Sequence, residues 1–191
     1  MQMCHLGDSY DIVKQSLLHW LRPHGKWSVL PMFTDDLVTA EGISAFERML
    51  DAKVVSKERV TLDTDRPGYF ARGKACGDLF VDPNTGLRLK ETREVRRPEY
   101  IFASELVELV RSRPTSALTV VFDQSVPRGS ERLHIDGKLR VLRHEGVHGF
   151  AYQSHACFII AGGDHKMIAE ERKRVIDASK LPEQRFLPVL A

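Results

Sequence analysis

Nowhere does the chain approach the ~20 consecutive apolar residues that a membrane-spanning helix needs, so no membrane partner is expected. Cysteine is scarce. Cys4, Cys76 and Cys157 are odd in number and far apart, which argues against a disulfide framework and fits a reducing compartment. The opening MQMCHLGDSYD has no basic start, apolar core or small-residue cleavage site, so a secretory leader is not read here and the expected location is the cytoplasm. No charge of one sign dominates: the formal net charge is +2, with none of the clustered excess (roughly pI > 9) that marks a nucleic-acid binder by charge alone. Three motifs that would name a chemistry are also missing, namely the GxxxxGK[ST] phosphate loop, the GxGxxG dinucleotide turn and the GxSxG elbow.

What is present is enough apolar residue for one well-buried core: 191 residues, 42% of them hydrophobic. The stretch Ala117–Gly163 organises the rest. An apolar, β-branched run (Leu118 to Phe122) stops at Asp123, a polar loop follows, then a helix, then a β-rich run from Val147 to Ala161. Strand, loop, helix and strand within about 30 residues predict a right-handed parallel crossover. Upstream, Met1–Leu6 reads as a short strand and HLGDSYDIVKQSLLHWL as a helix capped by Asp8 or Ser9. WSVLPMFT reads as a strand that Pro31 confines to an edge or a bulge. A helix over residues 39–50 and a short strand AKVVS follow. Pro98 is expected to open a helix through EYIFASELVELVRSR, and DHKMIAEERKRVIDASK forms a last helix before an apolar tail.

Alternating strands and helices predict a three-layer α/β fold: a mostly parallel, Rossmann-like sheet with helices on both faces, in a single domain over residues 1–191. Residues 57–98 are charged and turn-rich. Within them GDLFV, DPNTG and LRLK predict an inserted β-hairpin around residues 78–90, with Asp82 as a turn residue.

Ligands of such sheets sit outside the carboxyl ends of the strands. Asp8, Asp35, Asp36 and Asp123 all follow candidate strands, and two or three carboxylates there would hold Mg²⁺ or Mn²⁺. A cation so placed polarises a phosphate and activates water. Asp8, Asp35 and Asp123 are therefore the candidate catalytic set, and all four acids the candidate metal ligands. Each also has a plainer role as helix cap or turn former. Asp11 and Lys14, at i and i+3, read first as a surface ion pair; alternatively both face the crevice, with Lys14 meeting an anionic substrate. Arg88, Lys90, Arg96 and Arg97, interleaved with aromatic residues, could track a phosphate backbone or form a solvated loop. Ser154, His155 and Cys157 are a weaker lead, because adjacent strand residues face opposite ways and no paired zinc-ligand spacing accompanies them.

Acids at strand ends are shared with the PIN, NYN and Toprim groups of metal nucleases, and VVFDQS is similar to the acidic strand end of a Toprim core. Ser125 stands where a second acid of a DxD pair is expected, so no family is assigned. The expected function is a metal-dependent nuclease or phosphodiesterase. The alternative is a non-catalytic module that binds a protein, a nucleic acid or a second copy of itself through the basic segment and the tail.

Overall fold

The computed structural model describes residues 1–22, 25–36, 38–92 and 97–188. Helix α1 (Ser9–Leu21) starts where the Asp8 carboxylate accepts the N–H groups of Tyr10 and Asp11 at 2.8 and 3.1 Å, filling two of the donors a helix start leaves open. Strand β1 (Trp27–Leu30) stops at Pro31, which has no N–H for a ladder. Helix α2 (Ala40–Leu50) is capped by Thr39 and buries Ile43, Phe46 and Leu50, spaced to share one helix face. Strand β2 (Ala52–Val54), the short helix α3 (Arg66–Ala71) and strand β3 (Leu79–Val81) follow. Strands β4 (Gly86–Arg88) and β5 (Tyr100–Phe102) lead into α4 (Ala103–Arg111). The chain then runs through β6 (Thr119–Asp123), α5 (Glu131–His144), β7 (His148–Gln153), β8 (Cys157–Gly162), α6 (His165–Ser179) and β9 (Phe186–Pro188).

Seven strands form one sheet in the order β2-β1-β3-β6-β8-β7-β9. The first four are parallel; β8 runs against β6 and β7, and β9 runs against β7. Helices cover both faces, as expected for a three-layer α/β fold. Period-two alternation sorts the core. Phe80, Val120, Phe122, Phe158 and Ile160 pack with Leu17 and Leu18 of α1, Phe46 of α2 and Val175 of α6. Val81, Val121 and Ile159 face the other way, onto Phe70 of α3, Leu106 of α4 and Leu139 of α5. Two covered faces explain why β6 and β8 read as unbroken apolar runs. Among the described residues no helix is long and apolar enough to cross a membrane.

Several local expectations need correction. Residues 1–6 contain a 3₁₀ turn (Met3–His5) instead of a strand. The β-rich run after α5 is two antiparallel strands joined at Ser154–Ala156, and β8 lies between β6 and β7. The crossover from β6 through α5 therefore skips one sheet position. Pro31 does not mark an edge: β1 is flanked on both sides and ends before the proline. There is no hairpin at residues 78–90. Strand β3 joins the centre of the sheet, whereas β4 pairs in parallel with β5 in a separate two-stranded sheet. Hydrophobic Leu79, Phe80 and Val81, each 0% exposed, are drawn to the core, and this outweighs the local turn signal of DPNTG. The helix predicted from Pro98 starts at Ala103, where the Glu105 carboxylate accepts the Phe102 N–H at 2.9 Å. The tail is a sheet element: β9 pairs with Phe150, Ala151 and Tyr152.

Gly86 is placed against the end of β6. Its φ is +146°, and a side-chain Cβ there would meet the Asp123 carboxylate and lie 2.9 Å from Asp123 Cα. Gly137, inside α5, has nothing within 4 Å of the corresponding position. Gly86→Ala should therefore cost about 1–3 kcal/mol, whereas Gly137→Ala should be neutral or stabilising by about 0.5–1 kcal/mol. Urea midpoints of the two variants, read side by side, check the contrast; equal midpoints would contradict the close approach at Gly86.

Candidate functional site

The sheet has its topological switch at β1. Strand β2 is added on one side of β1 and β3 on the other, so the segments leaving β1 and β3 diverge and open a crevice at the carboxyl ends. A cavity of about 450 Å³ lies beside it, over the ends of β3 and β6, with the α1 cap Asp8, Asp11 and Lys14 of α1, Asp82 after β3 and Phe122 of β6 among its walls.

Asp11 and Lys14, one helical turn apart, sit on the buried face of α1 with Leu18 and Leu21. Lys14 Nζ donates to Asp11 Oδ1 and to Asp82 Oδ2, both at 2.9 Å, and lies 4.6 Å from the centre of the Phe122 ring. Asp11 Oδ2 accepts the Gly7 N–H at 2.8 Å. Asp82 is 0% exposed, and its Oδ1 has no hydrogen-bond partner among the described residues. Two carboxylates and one ammonium thus make a buried cluster of net charge −1. Burial alone would depress the Lys14 ammonium, but the charges of Asp82 and Asp11 more than offset it and hold its pKa above the ordinary lysine value. Burial acts on Asp82 in the opposite sense, raising its carboxyl against the pull of Lys14.

A second cluster stands on the neighbouring strand. Asp123, also 0% exposed, ends β6 and pairs with Lys138 of α5. Ser125 donates its N–H and its hydroxyl to Asp123 Oδ1 at 2.9 and 2.6 Å, and Lys138 Nζ reaches the Ser125 oxygen at 2.9 Å. Asp123 lines a second cavity of about 600 Å³ together with Arg128 and His155; Tyr10 and Gln124 contribute to both cavities.

The four predicted metal ligands are dispersed. Asp8 caps α1 and lines the first cavity, and Asp123 lines the second. Asp35 accepts the Met3 N–H at 2.7 Å, its other oxygen being buried without a partner among the described residues. Asp36 is on the surface, paired with Arg59. Among the described residues no three His, Cys, Asp or Glu side chains are grouped so as to hold a metal ion.

Asp11–Lys14 is a buried pair, not the surface pair first expected, because Asp82 reaches it across 68 residues of sequence. Asp82 itself is a strand-end carboxylate rather than a hairpin-turn residue. Of the basic candidates, Arg88 packs over the Tyr100 ring at 4.9 Å, Lys90 is exposed, Arg97 pairs with Glu91 at 2.8 Å, and Arg96 lies outside the described residues. At the Ser154 turn, the hydroxyl donates to Ala156 O at 3.4 Å, while burial and the Asp123 carboxylate push the Cys157 thiol well above its ordinary range. That thiol is poorly suited to act as a nucleophile.

Asp82 and Lys138 were not among the candidates, and Asp11 was weighed only beside Lys14, yet two of the three left a trace in the sequence. Lys138 falls in the apolar stripe Ile135, Leu139, Leu142 of α5, and Asp11 with Lys14 in the stripe that continues to Leu18 and Leu21. A charged residue on an otherwise buried stripe must find a partner.

Compared with protein-family models, curated proteins and solved structures, the chain finds no match in any of the three. Fold and site define an α/β protein with polar cavities at its strand ends.

Lys14→Met removes the cation between two buried carboxylates and should cost about 3–5 kcal/mol, read from denaturant unfolding at pH 7. The sign with pH follows from the raised folded pKa. The ammonium's contribution is complete below the unfolded value of about 10.4 and is lost as pH rises through the folded value, where the folded state holds the extra proton. On the alkaline side the gap between wild type and Lys14→Met should thus persist until strongly alkaline pH, while in acid, protonation of the buried carboxylates narrows it as well; a gap already closed at about pH 9 would contradict this assignment.

Proposed function

We propose that the protein binds a small polar ligand in the cavity at the carboxyl ends of β3 and β6, with Asp82 as the principal acceptor. One observation carries this reading: a fully buried carboxylate oxygen without a partner among the described residues, in the wall of a cavity of about 450 Å³ at the carboxyl ends of β3 and β6. Leaving such an acceptor unsatisfied costs about 1–3 kcal/mol, a cost that a donor brought by a ligand removes. Asp8, Asp11 and Asp82 outnumber Lys14 around the cavity, so the favoured ligand presents hydroxyl or amino groups rather than an anion. Lys14 keeps the Asp82 carboxylate in one orientation and supplies part of its neutralisation.

A second reading is metal-assisted hydrolysis of phosphodiesters, with nucleic acid as substrate. It is favoured by three carboxylates lining a single cavity beside an ammonium. Here Asp8 and Asp82 would hold Mg²⁺ or Mn²⁺, in place of the set that included Asp35 and Asp36.

Thermal melts of wild type and Asp82→Asn, with nucleosides, sugars, polyamines, Mg²⁺ and Mn²⁺ added singly, test both readings. A ligand at one hundred times its Kd adds about 2.7 kcal/mol of stability, and that gain should vanish in Asp82→Asn. A gain that survives the substitution places binding elsewhere and defeats the assignment. A gain from Mn²⁺ accompanied by hydrolysis of bis(p-nitrophenyl) phosphate, both lost in Asp82→Asn, selects the second reading over the first.

A further inference from the structure

The opposite end of the sheet carries a cavity of different chemistry. It measures about 250 Å³ and lies at the start of β7, where Arg143 of α5, His148 of β7 and both His165 and Arg172 of α6 contribute to its wall. Strand β7 runs in the same direction as β3 and β6, so its first residue is at the amino ends of those strands, away from the Asp82 cavity.

The side chains here are rich in nitrogen and poor in partners. The two imidazoles meet edge to face, with ring centres 5.2 Å apart. The side chains of Arg143, His148 and His165 make no hydrogen bond or ion pair among the described residues. Arg172 is fixed instead, donating to the Phe186 carbonyl at 3.0 Å and to Glu183 at 2.9 Å. The nearest acid along the chain, Asp164, caps α6 through the Met167 N–H at 2.6 Å, and its charge also acts on His148. His165 is the first residue of a 15-residue helix whose positive end is met by the Asp164 carboxylate. Burial and the neighbouring His165 hold His148 below the ordinary imidazole range. A lowered pKa favours the uncharged imidazole, which still offers an N–H donor, and Arg143 supplies the unpaired positive charge. Phe150 and Ile168 complete the wall with apolar surface.

We propose that this cavity is a second binding site, specific for a small organic anion: a phosphate or carboxylate head held by Arg143, His148 and His165, and a compact apolar body against Phe150 and Ile168. Unpaired donors of one polarity converging on one concavity call for an acceptor of opposite charge, and guanidinium groups suit the planar or tetrahedral oxygens of such a head. The site stands apart from the Asp82 cavity, which favours donors, so the two would take ligands of opposite character.

Calorimetric titration of the full chain with inorganic phosphate, benzoate and phenyl phosphate tests the proposal. Saturable binding is expected, with phenyl phosphate and benzoate each at least several-fold tighter than inorganic phosphate. Arg143→Gln should weaken it about tenfold or more, and Arg143→Gln combined with His165→Ala should abolish it. Arg143 is exposed and unpaired, so these variants keep the fold, which circular dichroism verifies. In imidazole ¹H–¹⁵N spectra, the shifts on phenyl phosphate addition should be confined to two of the eight histidines, lost together when His148 and His165 are replaced. Absence of saturable binding, undiminished binding in the double variant, or equal affinity for inorganic and phenyl phosphate would overturn it.

Discussion

The structure depends on charges that cannot be left alone inside it. Lys14 reaches Asp82 from α1, on one face of the sheet, and Lys138 reaches Asp123 from α5, on the other. The two aspartates end β3 and β6, which are neighbours in the sheet. Each lysine therefore pins a helix to a strand end, and the two pins meet from opposite sides over one edge of the sheet. Buried pairs of this kind are a poor way to gain stability, since desolvation offsets most of the attraction, but removing one partner is severe. What they do provide is fixed geometry. The helix starts, the loop after β3 and the end of β6 are held together where the cavities lie.

The segment Asp82 to Gly86 links the two clusters. It leaves β3 at one buried aspartate and arrives, at Gly86, against the other. The Gln124 N–H donates to the Thr85 carbonyl at 2.8 Å, and the Ser125 hydroxyl reaches the Leu87 carbonyl at 3.1 Å. A conformation that local turn propensity alone would make into a hairpin is thus held by contacts to β6.

The layered architecture was legible because both faces of the central strands are buried and the helices alternate with them. The apolar runs at β6 and β8 and the stripes of α2 and α6 report burial directly. Strand order was not legible, because β3 reaches its place through contacts with β1 and β6 that no local pattern encodes. The same limit hid the site. Asp82 sits in a five-residue string whose composition describes a turn equally well, and its partner is far away in sequence. Asp35 and Asp36 follow a strand yet turn aside to Met3 and Arg59, so position after a strand is a weak guide to convergence. Asp11, Lys14 and Lys138 were informative because each interrupts an apolar stripe, as was Asp123 at the close of an apolar strand.

The two borders of the sheet have a consequence for the company the protein keeps. At one border β2 is only Ala52–Val54, with Lys53 exposed; at the other β9, described over Phe186–Pro188, carries a proline that has no N–H to offer. Short length, an outward lysine and a proline are the means by which open sheets refuse an incoming strand. At the β2 border, extension of this sheet by another chain, whether in ordered assembly or in aggregation, is disfavoured.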